Sequence, residues 1–335
     1  MSDIITLAHG SGGKLTNDLI RDVFTKRFSN DILARAEDSA VLDLEGGRAA
    51  FTTDSFVITP VFFKGGDIGK LAVCGTINDL AASGARPLYL GCGFIIEEAF
   101  PIRQLEEISA SMAETAADCG VKIVAGDTKV VQKGAADKIF INTSGIGIIA
   151  DGINISASNA EAGDSVIITG TIGDHGCSIL LEREMLGIKA DIKSDCAALS
   201  GLTGKVLAHY PGLHVMRDPT RGGVAVALNE IASQSGVCIR LYENALPVRE
   251  DVMGVCGLLG MDPLYMANEG KMIIIAPRDI SRKVLNELKR HEHGKDSAII
   301  GEVLEAPSKR VLMSTLSGGD RIIEMPSGDQ LPRIC

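Results

Sequence analysis

No C-x-x-C pair occurs among the 8 cysteines, at positions 74, 92, 119, 177, 196, 238, 256 and 335. No zinc-type ligand spacing occurs either, so neither a zinc ribbon nor a dithiol redox motif is expected. No apolar run approaches the ~20 residues of a membrane span. The opening MSDIITLAHG lacks a basic stretch followed by an apolar core. No signal peptide is therefore expected, and the cytosol is the expected compartment. Basic residues are outnumbered, 33 Lys and Arg against 43 Asp and Glu, for a net charge of −10. A nucleic-acid or anionic-membrane surface needs a basic face, so neither partner is expected. Tryptophan is absent, whereas glycine is abundant at 38 residues. Much of that glycine clusters in short polar runs, where backbone can approach a ligand closely.

At 335 residues the chain exceeds what one compact core usually organises, so two domains of roughly 150 residues each are expected. Residues 1–36 read as a glycine-rich arm followed by an amphipathic helix over Leu15–Phe28. Residues 37–152 mix adjacent strands with strand–helix alternation. A helix over Ile68–Ser83 is closed by Gly84, and a strand over Leu88–Ile96 follows. That order favours an α+β fold with a mixed sheet over a doubly wound one. Turn-forming residues at 151–163 mark a boundary. Residues 153–326 restart with a strand at Ser165 and are expected to contain helices at Cys177–Leu186, Gly222–Ser235 and Ser281–His291. Residues 327–335 lack periodicity and read as a mobile tail ending in Cys335, long enough to reach ~30 Å into a cleft.

Two glycine-rich runs fail as nucleotide fingerprints. In Gly10-Ser11-Gly12-Gly13-Lys14-Leu15, Ala8 replaces the first P-loop glycine and Leu15 the magnesium-binding hydroxyl. Gly170-Thr171-Ile172-Gly173 has the wrong spacing for a dinucleotide site. Aspartates carry a stronger signal. Asp38, Asp54, Asp79 and Asp127 each stand at the edge of an apolar segment beside small residues. Singly, each fits a turn or a cap; together they fit a site for Mg²⁺ and a nucleotide. Lys70 and Asp79, nine residues apart on one helix, face opposite sides, which favours Asp79 for the site. Arg217-Asp218-Pro219-Thr220-Arg221-Gly222-Gly223 is either a phosphate-binding helix start or a capped one with a structural ion pair. Glu269, just before a buried-type strand, is a surface turn residue or a general base made stronger by burial. His291-Glu292-His293 reads as solvated surface, and His175, His209 and His214 are uninformative. Cys335 contributes little to packing at the end of a polar tail. Its own α-carboxylate should raise the thiol's pKa and leave it sluggish until a cationic site or a partner activates it.

Taken together, these segments resemble the HypE family of hydrogenase expression/formation proteins. That family lies within the PurM-like superfamily of aminoimidazole ribonucleotide synthetase and selenophosphate synthetase. The resemblance runs the whole length, on His9-Gly10-Ser11-Gly12-Gly13, Glu37-Asp38-Ser39-Ala40, Thr53-Asp54-Ser55, Asn78-Asp79-Leu80-Ala81, Gly126-Asp127-Thr128-Lys129, Arg217-Asp218-Pro219-Thr220-Arg221-Gly222-Gly223, Asn268-Glu269-Gly270-Lys271 and Pro332-Arg333-Ile334-Cys335. It implies a homodimer whose N-terminal sheets join into a shared barrel. ATP and Mg²⁺ would be held by Asp38, Asp54, Asp79 and Asp127, with Asn78 and Arg221 in the nucleotide site. It further implies that a carbamoyltransferase, HypF, loads a carbamoyl group onto Cys335. The chain would dehydrate that group to a thiocyanate with Glu269 and Lys129 as catalytic residues. The cyano group would then pass to iron on a HypC–HypD scaffold. Rival readings are another ATP-dependent enzyme of the superfamily or a non-catalytic, nucleotide-switched scaffold. A selenophosphate synthetase should carry a Cys or selenocysteine in its glycine-rich segment, and residues 9–14 contain neither. A thiamine-phosphate kinase would not need the terminal thiol, and the scattered cysteines give a metal-delivery scaffold no ligand set.

Overall fold

The computed structural model describes residues 13–25, 30–45, 47–183, 190–326 and 333–335. The first half contains α1 (Lys14–Leu19), β1 (Ala40–Leu44), β2 (Gly47–Phe56), β3 (Phe62–Phe63), β4 (Gly66–Asp67), α2 (Ile68–Ala82), β5 (Ala85–Glu97), α3 (Ile102–Asp118), β6 (Lys122–Val131) and β7 (Ile139–Ile149). Five of the strands form a sheet in the order β1-β2-β7-β5-β6. Its β5–β6 pair is parallel and its other pairs are antiparallel, giving the expected mixed sheet. Residues 26–29, the end of the helix expected over Leu15–Phe28, lie outside the described residues; within it, α1 passes into a wider turn at Ile20–Thr25.

Helix α2 is the centre of this half. Its first turn is capped by Asp67, whose carboxylate accepts from the Gly69 and Lys70 amides at 2.7 and 3.1 Å. It is apolar almost all round, as a helix covered on every side must be. Gly69 permits the approach to α3: a Cβ there would stand 2.6 Å from the Ile108 carbonyl. Helix α3 buries Ile108, Met112 and Ala116, a single stripe at a spacing of four. The opposite face of the sheet carries no helix among the described residues. Phe51, Tyr89, Ile95 and Ile148 are exposed there, and β6 is exposed along nearly its whole length.

The second half contains β8 (Ser165–Ile168), α4 (Asp174–Glu182), α5 (Ser200–His209), β9 (Val215–Arg217), α6 (Gly223–Ser235), β10 (Cys238–Tyr242), α7 (Glu250–Leu259), β11 (Ile273–Ala276), α8 (Arg278–Leu288), β12 (Ala298–Leu304), β13 (Arg310–Ser314) and β14 (Asp320–Ile322). Its seven strands run β14-β13-β10-β12-β8-β11-β9, with β10–β13 parallel. The two halves share a core: Ala50, Leu80, Ala82 and Ile149 pack with Ile167, Leu199, Leu202, Val206, Met216 and Ile274. Burying that apolar surface jointly fixes the cleft between them. No helix among the described residues is long and apolar enough to cross a membrane.

Candidate functional site: an acidic cleft with a docked cysteine

Four carboxyl groups converge where β1, β2 and the C-terminal half of α2 meet the end of β9. Thr52 Oγ1 on β2 donates to Asp79 Oδ2 at 2.7 Å. Asp38 lies 3.2 Å from Arg217 Nε, and Arg217 also holds Glu230 at 2.8 Å. Desolvation dominates the electrostatics. It raises Asp38 to about 6 despite Arg217. Asp54 is raised by burial, partly offset by a hydrogen bond with Asp79 and by Arg221. Asp79 and Asp218 are pushed well above the carboxylate range, first by burial and then by the neighbouring carboxylates. So many acids sharing one buried volume favour the protonated form, against the pull of Arg217 and Arg221.

A hard divalent cation suits such oxygen donors. Among the described residues, no three His, Cys, Asp or Glu side chains converge into a complete metal site. The fit is to Mg²⁺ completed by phosphate oxygens, held by one or two carboxylates at a time.

Residues 333–335 are docked against the protein, and residues 327–332 of the expected mobile tail lie outside the described residues. Ile334 is buried in the core of the first half, and Cys335 packs against that core. The Val57 amide donates to the Cys335 backbone oxygen at 3.0 Å. Arg333 Nε donates to the Val57 carbonyl at 2.7 Å, and its guanidinium pairs with Asp137 and stacks over Phe140. Burial pushes the Cys335 thiol up to about 12; Arg221 opposes this, and Glu269, Asp54 and Asp218 add to it. The expected cause was the chain's own α-carboxylate; in the docked position desolvation is the largest one.

Glu269 is 2% exposed, its carboxyl is raised far above its ordinary range by burial, and Oε1 has no hydrogen-bond partner among the described residues. Its amide donates to Asp195 Oδ1 at 2.9 Å. A Cβ on Gly270 would fall 1.9 Å from the Asp195 carbonyl oxygen, so only glycine lets the two segments meet.

The cleft thus gathers Cys335, Glu269, Asp38, Asp54, Asp79 and Arg221. Asn78 has a tethering position: its amide donates to the Ala197 carbonyl at 3.0 Å and accepts from the Leu199 amide at 2.8 Å. Asp127 and Lys129 stand apart on the exposed strand β6, paired with each other at 2.6 Å. Lys70 bonds to the Gly65 carbonyl, on the far side of α2 from Asp79. The His291 and His293 rings lie tilted, 5.5 Å apart, beside the Lys70 side of α2 and belong to no metal cluster among the described residues. Asp218 belongs to the Arg217–Gly223 run but is not among the expected site aspartates, and Asp195 carries no mark in the sequence. For Asp218 the Arg-Asp-Pro-Thr-Arg run was the available signal; for Asp195 none existed, because its role depends on a contact 74 residues distant.

This fold and cleft define a two-domain protein of the AIR synthase-related class. The N-terminal domain model of AIR synthase related protein matches residues 36–149, and the C-terminal domain model matches residues 161–314. Within that class the chain belongs to the HypE family. It is 51% identical over 336 residues to carbamoyl dehydratase HypE of Escherichia coli strain K12, covering 99% of both chains. It superposes on a HypE structure solved in complex with ATP with a TM-score of 0.84 and 48% identity, covering 98% of this chain and 100% of that one. A chain from a HypE–HypF complex matches with a TM-score of 0.88 and 52% identity over 92% of this chain and 99% of that one.

Proposed function

We propose that the protein is an ATP-dependent carbamoyl dehydratase that converts an S-carbamoyl group on Cys335 to S-cyanocysteine, supplying cyanide ligands for the iron of [NiFe]-hydrogenase. The observation that carries this reading is the docking of Cys335 beside an acidic cleft and a buried glutamate whose Oε1 has no partner among the described residues. The family membership and the ATP-bound relative support it.

The chemistry must remove the carbonyl oxygen of S–C(=O)–NH₂, and hydroxide is a poor leaving group at neutral pH. Attack of that oxygen on the γ-phosphorus of ATP expels ADP and converts the oxygen into a phosphate ester. Cleavage of the C–O bond then releases phosphate, while two N–H protons are lost and S–C≡N forms. Mg²⁺ would neutralise the triphosphate and orient its γ-phosphoryl group. Asp38, Asp54, Asp79 and Asp127 are the carboxylates proposed to hold it, one or two to an ion, with Arg221 near the phosphates. Glu269 takes an N–H proton; burial raises its proton affinity, which suits a base acting on a weakly acidic nitrogen. Lys129 stabilises charge on the transferred group.

Asp127 and Lys129 can serve the cleft if β6 comes from a second protomer. The helix-free sheet face, with Phe51, Tyr89, Ile95 and Ile148 exposed, is suited to a homodimer that joins two such sheets into a barrel. The loading partner is a carbamoyltransferase of the HypF type, supported by the HypE–HypF relative. A HypC–HypD scaffold would receive the cyano group, in the cytosol. To load Cys335, the partner must reach a thiol that is docked here, so the tail has to leave the cleft at that step.

A chain ending at Ile334 tests the reading. It should bind ATP normally and yield no cyanide ligand. Continued cyanide synthesis would favour another ATP-dependent reaction of the superfamily or a nucleotide-switched scaffold.

A further inference from the structure

His175 is completely buried at the start of α4, and both its ring nitrogens are engaged. Nδ1 lies 2.8 Å from Ser194 Oγ and Nε2 lies 2.7 Å from the Ile334 carbonyl oxygen. The carbonyl can only accept, so Nε2 carries the proton and Nδ1 must accept. Ser194 Oγ donates to Nδ1 and itself accepts from the Cys196 amide at 3.1 Å. The donors therefore run in one direction, from the Cys196 amide through Ser194 and the imidazole to the tail. The residue between them, Asp195, holds the Glu269 amide. One three-residue loop thus orients both the group that grips the tail and the segment that carries the glutamate.

We infer that His175, oriented by Ser194, is a positioning residue that docks the chain's terminal Arg-Ile-Cys peptide by donating Nε2–H to the Ile334 carbonyl. The inference rests on the reading of Cys335 as the acceptor. Three further contacts define the docking groove: Arg183 Nη2 donates to the Arg333 carbonyl at 2.7 Å, Val57 engages both Arg333 and Cys335, and Asp137 pairs with Arg333. The imidazole holds the residue immediately before the acceptor, so it ties the thiol's position to the loop that places Glu269.

The test uses the full chain and two readouts. The first is alkylation of Cys335 by iodoacetamide, followed by mass spectrometry of the terminal peptide. His175→Leu, which cannot donate, should react about tenfold faster than the wild type, the effect of losing one such hydrogen bond from the docked state. His175→Gln, whose amide can still donate, should restore slow alkylation. Ser194→Ala keeps the imidazole but loses the hydroxyl that orients it, and should fall between the two. The second readout is ATP-dependent water loss from protein carbamoylated on Cys335, which should slow in His175→Leu while ATP affinity holds. Equal alkylation of His175→Leu and wild type overturns the inference, as does a Gln variant that behaves like Leu. Faster alkylation with an unchanged dehydration rate also overturns it. Should His175→Leu fail to fold, the Ser194→Ala rate decides, and a value equal to wild type counts against the latch. If the wild type itself lost no water with ATP, the dehydratase reading would fail, while alkylation would still decide whether His175 holds the tail.

Discussion

Replacing Asp38 by Asn should make the ligand-free protein relatively more stable at neutral pH while weakening its grip on nucleotide. Two effects compete at this carboxyl. Burial penalises its charge, and Arg217 at 3.2 Å favours it. Burial wins, because the pKa rises from 3.8 to about 6. The folded state therefore holds the proton more tightly than the unfolded state. This group's stabilising contribution is complete below 3.8 and is lost as pH climbs through about 6. The displacement corresponds to about 3 kcal/mol between the two limits. Urea denaturation of wild type and Asp38→Asn, compared from about pH 4 to pH 8, should show wild type losing most of that amount relative to the variant. Added Mg²⁺ and ATP should stabilise wild type more than the variant, which lacks the carboxylate proposed to hold the cation. A wild type that gains on the variant as pH rises would mean that Arg217 outweighs desolvation, and the electrostatic picture of the cleft would be wrong.

Glu269→Gln should bind ATP with unchanged affinity and form no thiocyanate; isothermal titration and single-turnover analysis read the two separately, and normal turnover would remove Glu269 from the mechanism. Gly270→Ala should lower stability by about 3 kcal/mol or more, because a Cβ at 1.9 Å from a backbone oxygen forces two chain segments apart; a thermal melt equal to that of wild type would contradict this. Lys129→Ala should leave the fold and melting temperature unchanged, its side chain being exposed and paired with Asp127, yet slow the dehydration step.

The acidic cleft was legible in part because carboxylates at the edges of apolar segments are a local pattern. Asp38, Asp54 and Asp79 lie together because β1, β2 and α2 are neighbours in chain and in space, whereas Asp127, of the same expected set, stands apart on β6. Helix α2 was equally legible, with its closing Gly84 in the left-handed region. Helices α5 and α7 were not. Gly201 and Gly204 in one, Gly254 and Gly257 in the other, lower intrinsic propensity, and packing of Leu202, Val206, Val252 and Val255 overrides it. Helix α4 starts earlier than the apolar run beginning at Cys177 because Gly173 turns the chain at Asp174. The docked tail and the His175–Ser194 pair were invisible, since both depend on contacts across the chain. His175 reaches Ile334 over 159 positions, and no local pattern marks such a pairing.

The central claim is that Cys335 carries the group that is dehydrated. Intact-tail mass spectrometry of carbamoylated protein, before and after addition of ATP and Mg²⁺, tests it most directly. The terminal peptide should lose the mass of one water, with the change confined to Cys335 and dependent on ATP hydrolysis. An unchanged adduct during steady ATP turnover, or the same loss on a different residue, would contradict it.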